Sequence, residues 1–146
     1  MVIVAELMGN YTHNLDQQNR LSIPAKLRDE LGDCFVLYIP QNGDRCLFGY
    51  SLEDWKVLMD KLNDQPVTRR LTREQRFVHL NSDRVELDKQ GRFTIPPRFL
   101  EHAGFEREVF ILGAGKRVEF WEPSRWAEME KAYLEEEDDH TFDLAY

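Results

Sequence analysis

Apolar residues along the chain recur in short alternating runs separated by turn formers, the pattern of short β-strands, with two or three stretches of longer, helical period between them. Tyr11, His13 and Leu15 alternate into a turn at Asp16 to Arg20, and a second short strand, Leu21 to Ile23, follows. Pro24 suits the first turn of a short helix, where a missing N–H costs nothing, and Gly32 suits its C′ position. A hairpin comes next, Phe35 to Ile39 and Cys46 to Tyr50 around Asn42-Gly43. The period then lengthens. Leu52, Trp55, Leu58, Met59 and Leu62 form one apolar stripe on a helix that Ser51 can cap, with Asp54 at N3.

The same string of elements is written a second time, 72 residues further on. Asp16-Gln-Gln-Asn-Arg20-Leu-Ser-Ile23-Pro24 lies over Asp88-Lys-Gln-Gly-Arg92-Phe-Thr-Ile95-Pro96, and Gly32, Gly43, Arg45 and Phe48 lie over Gly104, Gly115, Arg117 and Phe120. After one deletion Trp55 lies over Trp126. Val85 and Leu87 lead into the second turn, Val109 to Leu112 and Val118 to Trp121 form the second hairpin around Gly113-Ala-Gly115, and a helix capped by Ser124 carries Trp126, Met129 and Tyr133. Asn19 and Gly91 hold equivalent turn positions and are the residue types that best tolerate positive φ.

Each unit is too small to bury a good core alone, so the two copies must pack together. Asn63 to Ser82 contains Pro66 and a Thr72-x-x-Gln75 capping box ahead of a helical stretch, which reads as a helical connector. The expected fold is α+β: a duplicated, pseudo-twofold β-barrel with a helix closing each repeat. Its expected divisions are an N-terminal extension (1–9), repeat one (10–55), a connector (56–81), repeat two (82–126), and a C-terminal helix with an acidic tail (127–146).

Composition adds a constraint and then partly removes it. The 146 residues carry a formal net charge of −8, which argues against nucleic acid as a partner, since phosphate binding needs a basic surface. Residues 121–146 hold nine acids against two bases, however, a net of −7, so the duplicated body is close to neutral and any partner must be sought in local patches. No apolar run approaches a membrane span and Met1 to Leu7 lacks the features of a signal peptide, so a cytosolic address is expected. Cys34 and Cys46 are too few for a disulfide scaffold and are read as reduced and structural.

The Asp-x-x-x-Arg turn is the candidate chemistry. One such pair is simply a salt bridge clipping a turn, but two at matching places of a pseudo-symmetric fold project from related positions. Arginine's rigid fork suits phosphate and the O6/N7 edge of guanine, and a neighbouring carboxylate can orient it. Lys26, Arg28, Lys89 and Arg98 add cations a few residues away. The order Asp-x-x-x-Arg, Ile-Pro, Gly and Trp, duplicated around a helical connector, resembles the MraZ family of bacterial transcriptional regulators, whose repeats belong to the AbrB-like swapped-hairpin DNA-binding class. The resemblance covers about residues 8–134.

It implies a cytoplasmic, nucleoid-associated regulator that binds double-stranded DNA at short direct repeats upstream of its own division and cell-wall operon. It also implies assembly into ring-shaped homo-oligomers, with no cofactor, metal, catalysis, membrane or small-molecule substrate. The family's arginines fall on Arg20 and Arg92, and its aspartates on Asp16 and Asp88. Two departures stand out. The first motif lacks the family's usual lysine and glycine, having Gln18 and Asn19 in their places, which puts one phosphate contact in question, and Met1 to Leu7 precedes the usual start near Met8.

Other features are weaker. Arg69, Arg73 and Arg76 share a helix face that suits solvent, a second protomer or DNA backbone. His13, His79, His102 and His140 lack ligand spacing, and no phosphate loop or nucleophile elbow is present. The rival to a DNA-binding role is a ring-forming interaction scaffold whose Asp/Arg turns are structural clips. A nuclease using Asp16 and Asp88 as metal ligands is disfavoured, because each carboxylate is followed four residues on by an arginine.

Overall fold

The computed structural model of the chain describes residues 6–136. Its elements follow in the order β1 (Leu7–Asn14), β2 (Arg20–Ser22), α1 (Ala25–Leu31), β3 (Cys34–Tyr38), β4 (Leu47–Ser51), α2 (Leu52–Asn63), α3 (Arg69–Leu80), β5 (Ser82–Glu86), β6 (Arg92–Thr94), α4 (Pro97–Ala103), β7 (Glu108–Gly115), β8 (Val118–Trp121) and α5 (Pro123–Glu135). Six strands form one antiparallel sheet in the order β1-β7-β8-β4-β3-β5, and β2 pairs with β6 in a separate ribbon. The order reads the same from both edges once the repeats are exchanged. The first strand of each copy pairs with the hairpin of the other, β1 with β7 and β5 with β3, while β4–β8 and β2–β6 cross the pseudo-twofold. This is the duplicated, α+β, swapped-hairpin architecture of the AbrB-like class.

The ribbon closes over one face of the sheet. Leu21 and Phe93 sit opposite each other in it and are both buried in the main core. Phe93 meets Phe35 edge-on at 5.1 Å and Phe120 at 5.9 Å, contacts worth about 0.5–1.5 kcal/mol each beyond their burial. Leu27 and Leu31 of α1 and Phe99 and Ala103 of α4 close the sides, each pair at i, i+4 on a single helix face. Gly104 (φ 71°, ψ 30°) ends α4 in the left-handed helical conformation, and Gly32 (φ 88°, ψ 166°) ends α1 at an extended, positive-φ geometry that only glycine adopts freely.

Helices cover the other face of the sheet. Trp55 of α2 packs on Tyr38 and Tyr50, and Trp126 of α5 packs on Phe110 and Trp121, so each repeat seats its helix tryptophan on two aromatic rings of the sheet, forming an aromatic trio. Between the trios, Phe48 and Glu119 are register partners on the pseudo-axis. Glu119 is buried, and its two oxygens accept from Trp121 Nε1 and from the Arg117 guanidinium, which also lies 4.3 Å over the Phe48 ring.

Four sequence expectations shift. The self-match laid Phe48 over Phe120, yet these residues face opposite sides of the sheet; the single-residue gap falls before β4, and in a strand one residue exchanges the faces. Thr72 is not the cap of the connector helix. Thr68 caps it by accepting from Leu71 N–H, and Gln75 instead donates to Asn63 Oδ1 of α2 at 2.8 Å. Ser124 is not a cap either, because Pro123 already opens α5 with Glu122 at the N-cap position and no side-chain cap bond. Finally, β1 begins within the segment expected as an extension, and Leu7 is 2% exposed in the main core.

Candidate nucleic-acid interface

Both Asp-x-x-x-Arg segments fold into the same clip. In the first, Asp16 Oδ1 accepts from the backbone N–H groups of Gln18 (2.8 Å) and Arg20 (2.9 Å), and Oδ2 accepts from Arg20 Nε (2.6 Å). In the second, Asp88 Oδ1 accepts from Gln90 (2.9 Å) and Arg92 (3.0 Å), and Oδ2 from Arg92 Nε (3.0 Å). The chain needs a left-handed residue at the fourth position to make this return, and Asn19 (φ 59°) and Gly91 (φ 76°) supply it.

Donors fix the charge state of each carboxylate. The Arg20 N–H, helped by the Arg20 side chain and the Gln18 N–H, holds Asp16 below the usual carboxylate range, and partial desolvation opposes it. Asp88 is lowered in the same way, chiefly by the Arg92 N–H. Both clips are therefore zwitterions, with each arginine tied to its own aspartate through Nε.

Strand alternation decides where the clips point. Arg20 and Ser22 flank the buried Leu21, and Arg92 and Thr94 flank the buried Phe93, so all four occupy the ribbon face turned away from the core. Arg20 pairs with Thr94 and Ser22 with Arg92. The two clips touch: Arg92 Nη1 lies 4.0 Å from Asp16 Oδ2, and about a third of each clip side chain is exposed. Two backbone bonds, Ile23 N–H to Gly91 O (2.9 Å) and Ile95 N–H to Asn19 O (3.0 Å), lock the turns across the pseudo-axis.

The remaining candidates divide. Lys26 on α1 and Lys89 in the second turn are exposed. Arg28 lies against the second turn, with Nη2 donating to Ile23 O at 3.0 Å. Arg98 is turned toward the connector, where its guanidinium donates to Leu80 O and Asn81 Oδ1 at the end of α3. Sequence reading missed Ser22 and Thr94 as neighbours of the arginines; alternation about Leu21 and Phe93 was the signal for them.

Little else in the site invites chemistry. Every oxygen of Asp16 and Asp88 already accepts, so a divalent cation would have to displace the arginines, and no group of three or more ligating side chains occurs among the described residues. No helix among them is long and apolar enough to cross a membrane. Burial and nearby carboxylates push the Cys46 thiol far up, making it inert.

The family model described as "MraZ protein, putative antitoxin-like" matches twice, over residues 7–78 and 79–144. A protein of Heliobacterium modesticaldum called transcriptional regulator MraZ is 46% identical over 121 residues, 82% of this chain and 83% of its own length. Proteins of the same name from Alkaliphilus metalliredigens and Clostridium beijerinckii are 43% and 42% identical, covering 83% and 88% of this chain and 84% and 89% of theirs. With both repeats matched in tandem and the similarity running through the clips, the chain belongs to the MraZ family.

Proposed function

We propose that the protein is a DNA-binding transcriptional regulator that acts without catalysis, using the β2–β6 ribbon as its reading element. One observation carries this reading: two Asp/Arg clips with the same bond pattern lie side by side on the solvent face of a ribbon whose other face is anchored in the core. A two-stranded ribbon fits the DNA major groove. Each aspartate occupies the Nε of its arginine and so orients the fork, leaving the Nη groups to donate to guanine O6/N7 or to phosphate. The names of its relatives support a regulatory role.

The finer reading is that the protein recognises short direct repeats upstream of its own division and cell-wall operon and does so as a ring-shaped homo-oligomer. Weak single contacts then add through effective concentration. The test is a mobility-shift titration with that upstream duplex. Arg20→Ala and Arg92→Ala should each cost about 1–3 kcal/mol per base-reading contact and relax specificity. Undiminished affinity in both single variants and in the double variant would refute the assignment.

The scaffold reading draws on a separate observation, that each aspartate's Oδ1 is spent on two backbone N–H groups, as in a purely structural clip. It predicts that Arg20→Ala lowers the Tm and that salt barely affects DNA association, whereas DNA reading predicts a steep salt dependence.

A further inference from the structure

The two clips share a backbone but not a charge. In the first turn the positions between aspartate and arginine are Gln17, Gln18 and Asn19; in the second they are Lys89, Gln90 and Gly91. The first turn is therefore neutral and the second carries one extra cation, on the exposed Lys89.

A further cation sits against the second turn. Arg28 comes from α1 of the other repeat, and its guanidinium lies so close to Gly91 that a Cβ there would stand 2.4 Å from Arg28 Cζ. Its Nη2 holds Ile23 O, and Ile23 N–H in turn holds Gly91 O. Its Nε is buried with no hydrogen-bond partner. A guanidinium held with an orphaned donor is a poor way to stabilise a fold. The corresponding position of repeat two holds Leu100, an apolar residue packed on the main core. Asp29 beside Arg28 is matched by Glu101 beside Leu100, but the flanking charges oppose the difference. Glu86 precedes the second turn where Asn14 precedes the first, and Asp33 O holds Leu87 N–H where Arg107 O holds Leu15 N–H. The inequality is therefore carried by the cations inside and directly behind the turn.

Resting on the DNA-binding reading above, we infer that the two turns are unequal. The Asp88–Arg92 turn, with Lys89 in it and Arg28 behind it, is the principal anchor for DNA phosphates, and the Asp16–Arg20 turn is the weaker contact. Arg28 is a positioning residue that holds the Gly91 turn and adds positive potential within a Debye length of the backbone it meets.

The experiment is a salt-dependent fluorescence-anisotropy titration of the full-length protein on the duplex directly upstream of this reading frame. Arg92→Ala should weaken binding about tenfold more than Arg20→Ala. Arg28→Met, which keeps the packed stem, should reduce the slope of log K against log salt by about one, while Arg28→Lys retains it. Gln17→Lys, at an exposed position, should raise that slope by about one and narrow the gap between the arginine variants. Equal losses for Arg20→Ala and Arg92→Ala, or an unchanged slope in Arg28→Met, overturn the inequality while leaving DNA binding standing. No loss in either arginine variant overturns the DNA reading itself and the inequality with it.

Discussion

Asp16 and Asp88 each perform two tasks with one carboxyl group. Oδ1 gathers two backbone N–H groups and so makes the turn, and Oδ2 takes the arginine Nε and so aims the side chain. Substituting the aspartate consequently disturbs the turn and the fork together, whereas substituting the arginine leaves the turn's backbone bonds in place. Acidity should expose the first task. Both carboxyls titrate below their ordinary value in the folded protein, so the unfolded chain takes up protons first. Their contribution to stability is full above the unfolded pKa, about 4, and is lost as the pH falls through the folded value. Asp16→Asn and Asp88→Asn should flatten the fall of Tm below about pH 4, and a carboxyl NMR titration should place both midpoints below the unfolded value. Ordinary midpoints for both would show that the clips do not persist in solution.

At the scale of elements, exchange of strands is the central fact. β1 and β5 leave their own repeats to pair with the opposite hairpins, so neither repeat owns a complete sheet and the core is common property. Alternation and turn residues made the eight strands legible, because both are local. Partner choice was not, since either hairpin offers an equally apolar edge and the decision lies in contacts far apart along the chain. The misplaced helix starts have a local cause instead. Thr72-x-x-Gln75 satisfies the capping pattern, but Thr68 four residues earlier already supplies the oxygen, and Pro123 opens α5 ahead of Ser124. Leu7 marks the greatest cost of misjudging an element. It enters the core from the first residue of β1, so Leu7→Ala should destabilise the protein by about 2–5 kcal/mol in urea denaturation. A loss under about 0.5 kcal/mol would return that segment to the status of an appendage.

For the whole molecule, charge is partitioned rather than uniform. A net −8 coexists with a solvent-facing ribbon that presents two arginines, because the acids concentrate in the C-terminal 26 residues while the repeats are almost balanced. The run Glu135 to Asp139 extends past the described residues, so its effect is a matter for solution measurement. Deleting residues 137–146 removes four acids, and nonspecific DNA binding should tighten at low salt and converge with the full chain as salt rises. Equal affinities at low salt would make the tail electrostatically silent toward DNA.

The sequence by itself determined the duplication, the turn chemistry, the matched helix tryptophans Trp55 and Trp126 and the acid/base pairs, since these depend on residue type and short spacing. Which strands pair, on which face Phe48 and Phe120 lie, and that Arg98 is tied to α3 while Arg28 backs the opposite repeat's turn were decided only by tertiary structure. Those are relations between segments tens of residues apart, and they follow from how two incomplete cores close on each other rather than from any local preference.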